Sequence, residues 1–167
     1  MRNFVVGVLL LLAGSSFAVE FEDCSHAGEV LAVDINNCPK QSCPVTIGST
    51  ANISISFTTS VPADSVSGKV YLSINGVFHD VEVRPEACIA IAEPGCPLST
   101  GDIREYKAQI SIINDCPPVK ASLIWILSSA KEDAIACFAT HIHLVTALES
   151  KAAIGHPRQR SFRSGSA

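Results

Sequence analysis

The chain has 167 residues, a formal net charge of −4, 47% hydrophobic residues and 6% aromatic ones. That length can bury the core of one domain. Residues 19–148 hold 7 Lys/Arg against 15 Asp/Glu, a net charge of −8, while residues 149–167 hold 4 against 1, a net of +3; so acidic a body argues against nucleic acid as a partner.

The chain opens with Arg2, an apolar run from Phe4 to Leu12 broken only by Gly7, and small residues at Ser16-Phe17-Ala18. Residues 1–18 are therefore expected to be a secretory signal peptide. The apolar run is too short for a membrane-spanning helix of about 20 residues, so a retained anchor is the lesser reading. Residues 19–148 are expected to form one soluble domain.

From Glu20 onward the apolar residues recur with period two. Ile53, Ile55 and Phe57 alternate with Asn52, Ser54 and Ser56. Val70, Leu72 and Ile74 form the next run, and Asn75-Gly76 is a hairpin signal leading into Val77, His79, Val81 and Val83. Ile110 and Ile112 follow, then Ala121, Leu123, Trp125 and Leu127, then Ile142 and Leu144. Pro62, Pro85, Pro94-Gly95, Pro117-Pro118 and Lys131-Glu132-Asp133 punctuate these runs. Alternation of this kind marks strands with one face buried, and about seven of them without a long helix predict an antiparallel β-sandwich. The segment 149–167 carries Gly155, Pro157, Gly165, several serines and its four basic residues. It is expected to be a disordered basic tail.

Seven cysteines stand at positions 24, 38, 43, 88, 96, 116 and 137. Behind a secretory signal they read as disulfides, and the odd count leaves one thiol over. Zinc is the competing reading, but no C-x-x-C pair occurs. A disulfide could close the loop Cys38 to Cys43 or the loop Cys88 to Cys96, and a Cys24–Cys137 bridge would tie the two ends of the domain together. Spacing alone does not fix the pairings.

The start Val19-Glu20-Phe21-Glu22-Asp23-Cys24, the C-P-x-x-x-C loop at 38–43, the Cys88 to Cys96-Pro97 loop, Trp125 and the late Cys137 resemble the ML (lipid-recognition) domain family, over about residues 19–148. Its members include the soluble cholesterol carrier of Niemann-Pick type C disease and the group 2 mite allergens. The resemblance implies an immunoglobulin-like sandwich with a lipid cavity between its sheets and with the disulfides Cys24–Cys137, Cys38–Cys43 and Cys88–Cys96. Cys116 is then the unpaired thiol. It stands where sterol-carrying relatives have an aromatic residue near the cavity mouth, which argues against strict cholesterol specificity.

Inward parity nominates the cavity lining: Val70, Leu72, Ile74, Val81, Val83, Tyr106, Ile110, Ile112, Leu123, Trp125 and Ile142, with Cys116 added by the resemblance. Val81, Ile112 and Cys116 match positions near the sterol entrance, and Val81 replaces an aromatic residue there. Small β-branched walls leave volume for a guest, although Val and Ile are also simply good strand formers. His79 interrupts its apolar run; it could bond a ligand hydroxyl or report endosomal pH, or merely stand at a wet edge. His141 and His143 share a strand face and could supply half of a zinc site, but no further ligand is evident and no metal is expected. Asn52-Ile53-Ser54 is a glycosylation sequon.

No cofactor and no catalysis are expected. The sequence has no G-x-S-x-G elbow, no phosphate-binding glycine loop and no H-E-x-x-H helix, and Cys116 runs straight into Pro117-Pro118. The implied activity is to bind and transfer a sterol or a fatty-acid-like lipid as a monomer, with transient membrane contact and delivery to a membrane lipid transporter or receptor ectodomain. Two other readings are a receptor-associated lipid-recognition protein of innate immunity and an extracellular carrier of small apolar signals. The implied location is extracellular, or the lysosomal lumen.

Overall fold

The computed structural model describes residues 19–38 and 43–154, so the expected signal segment and the tail beyond residue 154 lie outside the described residues. In chain order the elements are β1 (Glu22–Asp23), β2 (Gly28–Ile35), β3 (Pro44–Thr46), β4 (Thr50–Thr59), β5 (Val66–Ile74), β6 (Val77–Val81), β7 (Val83–Arg84), helix α1 (Ala87–Ala90), β8 (Ile103–Ser111), β9 (Val119–Ser129), β10 (Ala134–Val145) and helix α2 (Ala147–Ile154). One sheet runs β1-β10-β9-β5-β6, with β3 also paired to β10; the other runs β2-β4-β8-β7. Every ladder is antiparallel except that of β3 on β10. The antiparallel sandwich expected from the alternation is the architecture found.

The alternation works as a packing code. Along β4 the buried positions are Ala51, Ile53, Ile55, Phe57 and Thr59, while Asn52, Ser54 and Ser56 face outward. On β9, Ala121, Leu123, Trp125, Leu127 and Ser129 are buried. The two inward faces share one hydrophobic core between the sheets. Asn75 and Gly76 both take positive φ, 52° and 82°, as the two central residues of a tight turn between β5 and β6.

Residues 19–27 lace the two sheets along one flank. The Val19 N–H donates to the Val33 carbonyl on β2 at 3.0 Å, while the Thr140 hydroxyl of β10 donates to the Glu20 carbonyl at 2.7 Å. The Ala27 N–H donates to the Ala134 carbonyl at 2.9 Å, and Cys24 is joined to Cys137. The Asp23 carboxylate takes the N–H groups of Ser25 and Val30 at 2.8 and 3.1 Å. Burial works to raise its pKa, but these hydrogen bonds outweigh it and the net shift is downward. On the other flank α1 packs on β5 and β8, clipped by Cys88–Cys96.

The structure has more strands than the seven expected: β1 and β3 are two or three residues long and too short to show a period, and the expected run from Val77 to Val83 is divided between β6 in one sheet and β7 in the other. It also differs at the tail. Residues 149–154, expected to be disordered, are the continuation of α2. Thr146 and Glu149 cap that helix reciprocally: the Thr146 N–H donates to the Glu149 carboxylate at 2.8 Å, and the Glu149 N–H donates to the Thr146 hydroxyl at 3.3 Å.

Gly28 starts β2 where that strand presses on β10. A Cβ there would run into the backbone carbonyl oxygens of Ile135 and Thr58, which belong to opposite sheets. Backbone cannot yield as a side chain does, so Gly28→Ala should cost about 3 kcal/mol in urea denaturation. A loss below about 0.5 kcal/mol would show that the sheets slide freely at this point.

Candidate functional site

The site expected from inward parity is an interior rather than a surface cleft. Val70 and Leu72 on β5 pair with Trp125 and Leu123 on β9, so all four share one face. Val81 on β6 pairs with Val70, and Ile142 on β10 pairs with Ala121. Across the gap β8 contributes Tyr106 and Ile110, and Ile112 lies one residue past its end. Nine of the twelve expected lining residues are buried; the other three, Ile74, Val83 and Cys116, are half-buried.

Those three stand together at one end of the sandwich. The β3–β4 turn, the β5–β6 hairpin and the loop between β8 and β9 meet there. By topology the half-buried Ile47, Ile74, Ile113, Cys116 and Val119 of these segments, with Val83 on β7, lie toward this end, and each packs against the core; they are called the rim below. The Ile112 N–H donates to the Ser49 carbonyl at 2.9 Å and ties two of the loops. Ile47, Ile113 and Val119 are rim residues that the parity argument missed, since they lie in turns or at a strand end where period two is not defined.

Below the rim the interior is filled by its own side chains. Trp125 stacks on Phe138 at 6.3 Å and meets Tyr106 edge-on at 5.6 Å. Both Trp125 and Tyr106 are fully buried. Burial pushes the Tyr106 phenol up to about 12, against a smaller downward pull from the neighbouring Trp125 indole as a hydrogen-bond donor. Arg104, two residues along the same face of β8, pairs with Asp102 at 2.8 Å through one guanidinium nitrogen while its Nε has no partner. Arg104 is not among the residues expected at the site.

The remaining candidates lie elsewhere. His79 is half-buried on β6 opposite Leu72, on the inward face of an edge strand. His141 and His143 are exposed on the outer face of β10, where the Ser122 hydroxyl lies 3.2 Å from the His141 ring Nδ1. Among the described residues no group of three His, Cys, Asp or Glu side chains could hold a metal ion. Asn52 is exposed on the outer face of β4, beside a hollow of about 650 Å³ lined by Asp34, Arg84 and Lys107. The three disulfides are those the resemblance implied, and Cys116 is the free thiol. The Cys116 thiol donates to the Ile113 carbonyl at 3.6 Å, and desolvation with the neighbouring Asp115 charge pushes its pKa up.

A disulfide-stapled antiparallel sandwich with a continuous apolar interior and one apolar rim defines a class of small β domains that bury greasy surface between two sheets. This chain belongs to the ML-domain family, whose family model matches residues 18–144. It is similar to the NPC intracellular cholesterol transporter 2 of Canis lupus familiaris, 28% identical over 142 residues, which is 83% of this chain and 95% of the relative. It is also similar to the mite group 2 allergen Pso o 2 of Psoroptes ovis, 28% identical over 125 residues, 74% of this chain and 85% of the relative. The crystal structure of a Niemann-Pick type C2 protein from Japanese carpenter ant superposes with a TM-score of 0.64 at 25% identity, covering 75% of this chain and 99% of that one.

The upward shift of Cys116 lowers its thiolate fraction at neutral pH. Iodoacetamide labelling followed by mass spectrometry should therefore be slower than for an unstructured cysteine peptide at pH 7, and should accelerate as pH rises past 9. Labelling as fast as the peptide would place the thiol in full solvent contact.

Proposed function

We propose that the protein is a lipid carrier. It takes a sterol, or a fatty-acid-like lipid of similar girth, through the rim into the space between its sheets, shields it from water, and releases it to a membrane or partner. The observation that carries this reading is the rim itself. At that end the interior is closed by half-buried apolar side chains, the kind of closure that a greasy guest can replace without stranding polar groups. The similarity to a cholesterol transporter supports the same reading.

The interior is closed in this structure, so uptake requires the rim side chains to turn aside and the sheets to part. Burial of guest surface drives that change at about 2.5 kcal/mol per 100 Å². Binding without catalysis fits the one free thiol, whose upward shift is the reverse of what a nucleophile needs. Three disulfides fit an oxidising, secretory location.

The single tryptophan of the sequence sits at the centre of the core, which supplies a built-in probe. Dehydroergosterol should quench Trp125 emission by energy transfer, saturably and at one sterol per chain. Val83→Asp at the rim should weaken that binding at least about ten-fold, because a carboxylate would meet the guest. Absence of saturable transfer with both dehydroergosterol and a fluorescent fatty acid would reject the carrier reading.

Asn52 and Ser54 both face outward, so the sequon is presented to solvent. Expression in a eukaryotic secretory host should give a chain that loses mass on N-glycosidase treatment, and Asn52→Gln should abolish the loss. An unmodified secreted chain would remove the glycan from the account.

A further inference from the structure

We propose that β6 is a pairing edge, through which two copies of this chain join strand to strand, antiparallel, about His79. The proposal is independent of the carrier reading and of any cargo.

The argument begins with the edges of the two sheets. An edge strand shows a row of unpaired N–H and C=O groups, and folds blunt such edges with bulges, proline, charge or a covering element. β2 carries the bulge at Leu31, and its Val30 N–H and Val33 carbonyl are taken by the Asp23 carboxylate and the Val19 N–H. β3 opens on Pro44 and packs against α2. β1 and β7 are two residues long, and β7 runs into Pro85. Where β5 extends beyond β6 it packs against α1, with the Ala87 side chain beside Gly68. β6 differs from all of these. It has no proline, lysine or bulge, and it exposes Val77 and Phe78, which are 59% and 62% accessible.

The turn that precedes β6 decides which of its groups are free. A two-residue turn at Asn75-Gly76 makes Ile74 and Val77 a hydrogen-bonded pair. Alternation then bonds His79 to Leu72 and Val81 to Val70, and turns the N–H and C=O of Phe78 and Asp80 away from β5. Among the described residues none of these four groups has a partner.

The strand's own sequence names the occupant. Its inward face reads Val77, His79, Val81, the same in both directions. A two-fold axis through His79 sets Phe78 against Asp80 of a second copy, and each such pair exchanges two N–H···O=C bonds. All four free groups of each chain are then used. Sliding the register by two residues sets Phe78 or Asp80 against its own copy and leaves the other facing Gly76 or Glu82, which lie outside β6. On the inward face Val77 meets Val81, and His79 meets His79, where one neutral imidazole donates to the other. On the outer face each Asp80 carboxylate meets the positive edge of a Phe78 ring. An unrelated extended peptide would make the same backbone bonds without this match of side chains.

Five residues a side make a small contact, below the roughly 1,600 Å² of a standard interface. The pair is therefore reversible, with a dissociation constant on the order of 100 μM. The monomer expected from the resemblance is then the dilute form of the protein.

Sedimentation velocity of the full protein from about 5 to about 500 μM tests the proposal: the mean mass should rise from one chain to more than about 1.5 chains. Val77→Lys sets an ammonium against Val81 of the second copy and should weaken association at least about ten-fold. Cysteine cross-linking tests the register. Opposed residues of a non-hydrogen-bonded antiparallel pair stand about 4.5 Å apart at Cα, within disulfide reach. In a Cys116→Ser background, His79→Cys should give covalent dimers on mild oxidation at least about ten-fold faster than Val77→Cys, whose copies lie four residues apart along the strands. A single-chain mass throughout the range would overturn the proposal. So would a dimer unmoved by Val77→Lys, or cross-linking as fast at position 77 as at position 79. Val77→Lys changes an exposed side chain, so it decides the matter if the cysteine variants fold poorly.

Discussion

The lacing of the two sheets by residues 19–27 is the constraint on which the rest of the structure depends. A sandwich held only by its core would have no preferred place to open. Here one flank is tied by a disulfide, by backbone hydrogen bonds to both sheets and by the close approach at Gly28. The opposite flank is bridged by α1 and its disulfide. At the end where Ile74, Val83, Ile113 and Val119 lie, the sheets are joined by the β2–β3 connection with its Cys38–Cys43 disulfide.

The closed interior and the proposed cargo are two solutions to one packing problem. Apolar side chains fill the space when it is empty of guest, and the aromatic trio Tyr106, Trp125 and Phe138 gives it shape. A guest replaces side-chain contacts with its own, so the net gain comes from the surface it removes from water. Any lipid that binds the folded state and not the unfolded one would also raise the stability of the fold.

The sequence was most legible where one face of a strand is buried and the other wet. β4, β8 and β9 follow period two without a break, and their inward residues are those found in the core. β2 escaped because its pairing shifts between Val30 and Ala32, so a bulge at Leu31 interrupts the alternation. The first half of β10 escaped because Ile135 to Phe138 are all buried: a register shift lies beside Ile135, and Cys137 is covered through Cys24. The helical start of the tail was written in Thr146-x-x-Glu149, a capping signal that composition concealed. For the site, parity found the wall but not the rim, and it could not show that Trp125 and Tyr106 meet edge-on in the core. That contact belongs to the three-dimensional arrangement of both sheets and has no local signature.

A crystal structure of the protein grown with cholesterol bears most directly on the central claim that lipid lies between the two sheets. The account predicts density for one guest bounded by Leu123 and Trp125 on one side and Tyr106 and Ile110 on the other, with the side chains of Ile74, Val83 and Val119 turned outward. Density for the sterol only on an outer face, over an interior still filled by its own side chains, would contradict it.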